Sequence, residues 1–263
     1  MLISIDYIFT VLPVIISLLA AILLFFRYKK YKQTHHIFLC LFFVLLCFSY
    51  LSSFFISLKK LSLTTSVFPL RQSVNLFLIP FYSFCGYSLF LGVDIPRKKV
   101  ITHALPAIFV FIGFIPFWFL SDNIQESYFL SDLKNTFDNS ILYNTDILRK
   151  ISINVLFNSQ LIFYHIYIIP KFRKFDAKSP ITLHRHPGTG VVSVILLFTT
   201  FLLVLINYAL ILGVYSNINS RLFFNIMSVI ILSALFISIY QKTQSIAKQE
   251  IANTDDYMFD AEY

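Results

Sequence analysis

Seven long apolar runs occupy the chain, at roughly 7–26, 36–57, 67–92, 100–120, 149–170, 190–214 and 222–241, leaving little sequence between them for a separate soluble domain. A helix needs about 20 apolar residues to cross a hydrocarbon core of about 30 Å. The runs are continuous, whereas barrel strands alternate apolar and polar residues over about ten positions. They predict an all-α membrane protein, a seven-transmembrane helix bundle, rather than an outer-membrane barrel. Composition agrees: 13% of the 263 residues are charged and mean hydropathy is +0.76, against about 25% charged residues in soluble domains.

Charge between the runs gives direction. The loops after the first, third and fifth runs, together with the tail, hold 14 of the 21 lysines and arginines, including Arg27, Lys29, Lys30, Arg97, Lys98 and Lys99. The positive-inside rule then predicts an amino terminus outside and a carboxyl terminus in the cytoplasm. The first run follows an uncharged and acidic start, Met1 to Asp6, and precedes the basic cluster. This reverses the charge order of a secretory signal, so the run reads as a retained span. The expected organisation is a seven-helix domain over 1–245 and a short acidic cytoplasmic tail over 246–263, in a bacterial inner membrane crossed many times. The net charge of +8 is spread over short loops beside spans, and no direct nucleic-acid contact is expected. Cys40, Cys47 and Cys85 lie inside apolar runs and read as packing residues.

The longest outer loop, about 121–148, carries Asp122, Glu126, Asp132, Asp138 and Asp146 against Lys134. It reads as a solvated cap or as the lid of an external ligand site. The loop from Lys171 to Gly190 contains Pro180, Pro187, Gly188 and Gly190, which break helices and argue against a folded domain there. Tyr28, Tyr31, Tyr50, Tyr82, Trp118 and Tyr128 fit interfacial aromatic belts.

Polar groups inside a span are costly, and they are where function is sought. Asn154, Asn158 and His165 are spaced four and then seven apart, on one face of an ideal helix. That stripe reads either as interhelical hydrogen bonding or as the wall of a ligand pocket. Arg71, Gln72 and Asn75 open the third run near its outer end. Arg71 either snorkels to the interface or offers its fork to an anionic ligand. Asn207 in the sixth run and Asn225 in the seventh are the further polar groups that could complete such a pocket. His103 and Pro106 lie just inside the fourth run, where proline costs little hydrogen bonding and histidine reads as an anchor to neighbouring backbone.

Several chemistries are excluded. Residues 222–241 contain no lysine for a retinal Schiff base, and His184 and His186 lack the ligand company of a zinc site. Nucleophile-elbow, metalloprotease and phosphate-loop motifs are absent. All 13 acidic residues fall outside the cores of the runs, which weighs against ion-coupled transport. The chain reads as non-enzymatic, with no metal and no cofactor.

The run Asn75-Leu-Phe-Leu-Ile-Pro-Phe-Tyr-Ser-Phe-Cys-Gly-Tyr-Ser-Leu-Phe90, a basic turn, and then His103-Ala-Leu-Pro106 resemble the multi-span sensor half of bacterial membrane-bound AraC-type regulators. In that family a "His-x-x-Pro" helix start follows a short basic turn, and His103 and Pro106 match it. The resemblance covers about 1–245 and implies a sensor coupled to a cytoplasmic helix-turn-helix output. The sequence ends about twenty residues after the seventh run, so DNA binding is not carried over. The expectation is a sensory or signal-transducing module that couples an outer-facing cavity to its carboxyl-terminal helix. Its partners would be membrane lipids, a small-molecule ligand and a cytoplasmic output protein. Candidate ligand-binding residues are Arg71, Gln72, Asn75, Asn154, Asn158 and His165. The competing expectation is a small permease or transporter component.

Overall fold

The structure is a computed structural model and describes residues 2–32, 34–58, 60–91, 95–130, 139–164, 166 and 222–237. The sixth run, His165, Asn207, the paired histidines His184 and His186, and the tail over 246–263 lie outside the described residues. Every regular element among those described is helical. Helix α1 spans Leu2–Tyr31, α2 Thr34–Ser57, α3 Leu61–Leu91, α4 Arg97–Trp118 and α5 Asp122–Leu130. Helix α6 starts as Ser140–Lys150, widens into a π-helical stretch over Ile151–Phe157, and is α-helical again over 158–164. Helix α7 covers Leu222–Ile237.

Three of these helices contain stretches long and apolar enough to cross a membrane: Tyr7–Tyr31, Thr34–Ser52 and Arg97–Trp118. Their outward faces suit lipid. Ile15, Leu18, Leu19, Ile22 and Phe26 on α1, and Ile101, Leu105, Ile108 and Ile112 on α4, are exposed at helical spacing. Helix α3 has 31 residues but is not among the three. Arg71, Gln72 and Asn75, with the internal prolines Pro69 and Pro80, dilute its apolar content.

Neighbours run antiparallel. Helix α1 ends at Lys32, whose φ of 56° is the left-handed conformation that closes helices, and α2 begins two residues later. Along α2 and α3, Phe38 meets Phe84 with ring centroids 5.6 Å apart and Phe42 meets Tyr82 at 5.7 Å, while Ser49 meets Asn75. Advancing on α2 therefore means retreating on α3. Between α3 and α4 the pairs are Phe84 with His103 and Phe68 with Phe117, again antiparallel. One end of the bundle thus gathers the exposed Lys29, Lys30, Lys32, Arg97, Lys98 and Lys99. The other end holds α5 and the start of α6.

Helix α7 packs against α1 and α2 through two specific contacts. The Asn225 amide donates to Thr10 Oγ1 over 2.8 Å, with both side chains buried, and Phe236 meets Phe43 edge to face at 6.3 Å. Thr10 lies near the start of α1, and Phe43 lies in the first half of α2, beside the later part of α1. Helix α7 therefore runs parallel to α1.

Helix α3 touches α2, α4, α5 and the π-helical stretch. Residues 71–76 are all buried, which is more than one full turn, so this segment is enclosed on every side.

Candidate functional site

The enclosed turn of α3 is polar. Arg71 is 6% exposed, while Gln72, Ser73 and Asn75 are each 3% exposed. Arg71 is sealed within the bundle rather than snorkelled to an interface: α3 begins at Leu61, not near 67, and the two extra turns carry Arg71 inward from the helix end. The facing turn of α2 is also polar. Ser49 donates its hydroxyl proton to Asn75 Oδ1 over 2.9 Å, and Ser52 donates to the Ser49 carbonyl over 2.7 Å. Asn75 Nδ2 is buried with no hydrogen-bond partner among the described residues. Tyr50 and Tyr82, which read as belt residues in sequence, are buried here too.

Phe68, one turn nearer the helix start than Arg71 and Gln72, anchors the lid of this region. Its ring lies 5.5 Å from Phe114, 5.4 Å from Phe117, 5.4 Å from Tyr128 and 5.1 Å from Phe129. The described part of the 121–148 segment is therefore no loose cap, because α5 is pinned onto α3 and α4. Gln125, 6% exposed, donates from Nε2 to the Leu120 carbonyl over 2.7 Å. This satisfies an acceptor just beyond the end of α4 that would otherwise be stranded. The indole N–H of Trp118 donates to the Ser66 carbonyl over 3.1 Å.

A charged latch joins α5 to α6. Arg149 Nε donates to the Tyr128 hydroxyl over 3.0 Å, and its terminal nitrogen bonds Asp146 Oδ1 at 2.8 Å. Lys150 Nζ bonds Asp146 Oδ2 at 2.7 Å, and the Tyr128 hydroxyl donates to Asp146 Oδ1 over 3.4 Å. Burial alone would raise the Asp146 carboxyl, but hydrogen bonds and charge from Lys150 and Arg149 outweigh it and hold the group below its ordinary value. Burial pushes the Tyr128 phenol up. Asn139 caps α6, accepting from the amides of Ile141 and Leu142. Asp146, Arg149 and Lys150 at i, i+3 and i+4 were a legible ion-pair pattern; the partner 18 residues away, Tyr128, was not.

Below the latch, α6 departs from ideal geometry. A π-helix changes which residues share a face, so the spacing of four and seven no longer defines one stripe. Asn154 is exposed, and the half-buried Asn158 turns its amide back on its own helix, donating to the Asn154 carbonyl over 3.0 Å. The Asn158 backbone N–H is directed to the Val155 carbonyl. The side chain thus serves the carbonyl that an α-helix would have matched with that N–H. Ser152 adds a bond from Oγ to the Leu148 carbonyl over 2.6 Å, a pairing that bends helices. Further along, the Tyr164 hydroxyl and His103 Nδ1 are 2.6 Å apart, so His103 is anchored by a side chain of α6 rather than by backbone. Helix α4 starts at Arg97, which puts Pro106 in the third turn, where the missing N–H does break a helical bond.

No family model, curated protein or solved structure matches the chain. The site is therefore defined by its own geometry. The structure brings Arg71, Gln72 and Asn75 together in one sealed turn, with Ser49 and Ser52 opposite, and keeps Asn154 and Asn158 apart from it on α6. Asn225 is engaged with Thr10 and not with this cluster. Among the described residues no group of three His, Cys, Asp or Glu side chains could hold a metal ion. Such an arrangement can bind and orient a polar molecule by hydrogen bonding and charge. Among the described residues around it there is no nucleophile with an adjacent base and there are no paired carboxylates.

Proposed function

We propose that the chain is a multi-pass sensory module of a bacterial inner membrane, non-enzymatic, whose ligand site is the sealed polar turn of α3. Its output leaves through the carboxyl-terminal helix toward a cytoplasmic partner. The observation that carries this reading is the burial of Arg71, Gln72 and Asn75 inside a bundle with lipid-suited outer faces. Polar and charged groups at that depth are expensive, and binding is the usual reason a membrane protein keeps them.

Two features support a seven-crossing arrangement with a cytoplasmic carboxyl terminus. Helix α7 runs parallel to α1, as the seventh of seven alternating crossings would. The exposed lysines and the arginine at the ends of α1 and α4 lie at one end of the bundle, the end that the positive-inside rule assigns to the cytoplasm. The resemblance of Asn75–Phe90 and of His103 and Pro106 to AraC-type membrane regulators favours the same class of function.

Helix α6 suits transmission. It is tied to α5 at one end by Tyr128, Asp146 and Arg149, and to α4 at the other by His103 and Tyr164. The π-helical stretch between them touches α3. A ligand beside α3 that favoured one packing of this stretch would shift the population of the whole helix.

The test is the host transcript profile with the chain present, deleted or substituted. Deletion should change a defined set of transcripts, and Asn158→Leu, which removes the bond to the Asn154 carbonyl, should alter the same set while inserting normally. Unchanged transcripts in Asn158→Leu and in His165→Leu together would sink the sensory reading. Concentrative uptake of a solute by proteoliposomes would replace it with transport.

A further inference from the structure

We infer that two copies of this chain pair through the outward face of α6, with the Asn154 side chains of the two copies hydrogen-bonded to each other near the middle of the bilayer. The inference rests on the multi-pass membrane reading and is independent of the sensory one.

Two anchors fix how deep Asn154 sits. Leu148 is seated on the bare backbone of Gly113, where an added Cβ would meet Leu148 Cδ2 at 2.6 Å, and the Tyr164 hydroxyl is 2.6 Å from His103 Nδ1. Asn154 falls between these anchors, level with the middle of Arg97–Trp118, a stretch long enough to cross a membrane. The exposed residues of α1 from Ile15 to Phe26 and of α4 from Leu105 to Ile112 are all apolar. Asn154 breaks that pattern, because it is exposed. Its carbonyl accepts from Asn158, but its side-chain amide has no hydrogen-bond partner among the described residues.

Hydrocarbon offers an amide neither donor nor acceptor, so a polar group facing it is costly. Local geometry nevertheless keeps this one outward. In the π-helical stretch Ser152, Ile153 and Phe157 are buried, which leaves Asn154 and Val155 on the outer side. Ile147, Ile151, Val155 and Ile162 are exposed around it. All four are β-branched and already restricted in rotamer by the helix, so packing them against a partner gives up little side-chain entropy.

The amide itself identifies the partner. Because Asn154 is exposed in the single chain, its hydrogen bonds are to be made outside it. A carboxamide carries an acceptor oxygen and a two-proton donor. A two-fold axis brings the same patch of two copies together, and there each Nδ2 donates to the other copy's Oδ1. Asparagine pairs of this kind join helices in membranes. The competing occupant is the chain's own run over 190–214, which includes Asn207 and would satisfy Asn154 without a second copy.

The experiment uses the full chain in liposomes, mixing donor-labelled and acceptor-labelled copies while the lipid content is raised stepwise. Energy transfer should exceed the level of random mixing. Asn154→Leu should need about tenfold more protein per lipid to reach the wild-type transfer, with its thermal midpoint unchanged, and Asn154→Gln should stay near wild type. In a chain with Cys40, Cys47 and Cys85 replaced by alanine, Asn154→Cys should form a disulfide-linked dimer on oxidation with copper phenanthroline. Phe109→Cys, at similar depth on α4 where the native ring is 67% exposed, should not. Transfer at the random level in wild type, equal transfer in wild type and Asn154→Leu, or equal crosslinking at 154 and 109 would each overturn the inference. Alkaline extraction of the same membranes keeps the two readings apart. Protein that stays in the membrane without transfer sinks the pairing alone, and protein that is released sinks both.

Discussion

Replacing Phe68 by alanine is expected to destabilise the bundle by about 3–5 kcal/mol, the range for deleting a buried aromatic ring. Phe68 is 6% exposed, and four rings from two other helices close on it: Phe114 and Phe117 from α4, Tyr128 and Phe129 from α5. Such pairs contribute about 0.5–1.5 kcal/mol each beyond the area they bury. The loss should be felt most by α5. That helix has nine residues, too few to persist without packing, and much of its packing is Phe68. Limited proteolysis in detergent should therefore cut Phe68→Ala near 122–130 faster than wild type, and thermal unfolding should begin earlier. Phe109→Ala is the control: that ring is 67% exposed on α4 and should be close to neutral. Equal stability of the two variants would show that α5 is held by something other than this aromatic cluster.

Asp146→Ala is expected to cost about 3 kcal/mol, because removing one partner of a largely buried ion pair leaves the other charge uncompensated. The exposure of the side chains apportions the effect. Arg149 and Asp146 are 15% and 12% exposed, whereas Lys150 is 57% exposed, so Lys150→Ala should cost well under 1 kcal/mol. Tyr128→Phe removes one hydroxyl from the same network and should cost about 1 kcal/mol. The latch also sets an acid response. The Asp146 carboxyl is held below its ordinary value in the fold, against about 3.9 in an unfolded chain. A depressed carboxyl stabilises fully above the unfolded value and loses that contribution as pH falls through the folded one. Stability should thus be level from neutral pH down to about 5, then decline below about 4. Asp146→Asn should lack this component of the decline, which unfolding curves at pH 7 and pH 4 compare directly. A decline of the same size in both chains would assign acid sensitivity elsewhere.

Much of the bundle was readable from hydrophobic run length alone. The second and fourth runs became α2 and α4 with boundaries moved by a few residues, since both are long, apolar and bounded by turn or charge signals. Sequence and structure part where tertiary contacts decide. Residues 140–148 read as loop in sequence because Asn144, Thr145 and Asp146 are polar, yet the Asn139 cap and the latch make them helix. Arg71 was readable as a snorkelling residue or as a fork for an anionic ligand, and its burial shows only that it is drawn into the bundle. Tyr50 and Tyr82 fit a belt by type, but type carries no information about facing direction. The widened stretch of α6 has no sequence signature, because its seven residues, Ile151–Phe157, are apolar enough for any helix.

That stretch has a consequence for rotational phase. In an α-helix each residue turns the chain by about 100°, whereas the i→i+5 bonding of the widened stretch turns it by less per residue, so the stretch takes up a residue while the helix beyond it keeps its phase. Tyr164 reaches His103 only with the present phase. Deleting one residue from the regular helix over 158–163 would leave hydropathy and length nearly unchanged, yet it would swing the Tyr164 hydroxyl away from α4. In this helix, register is information that hydropathy does not encode.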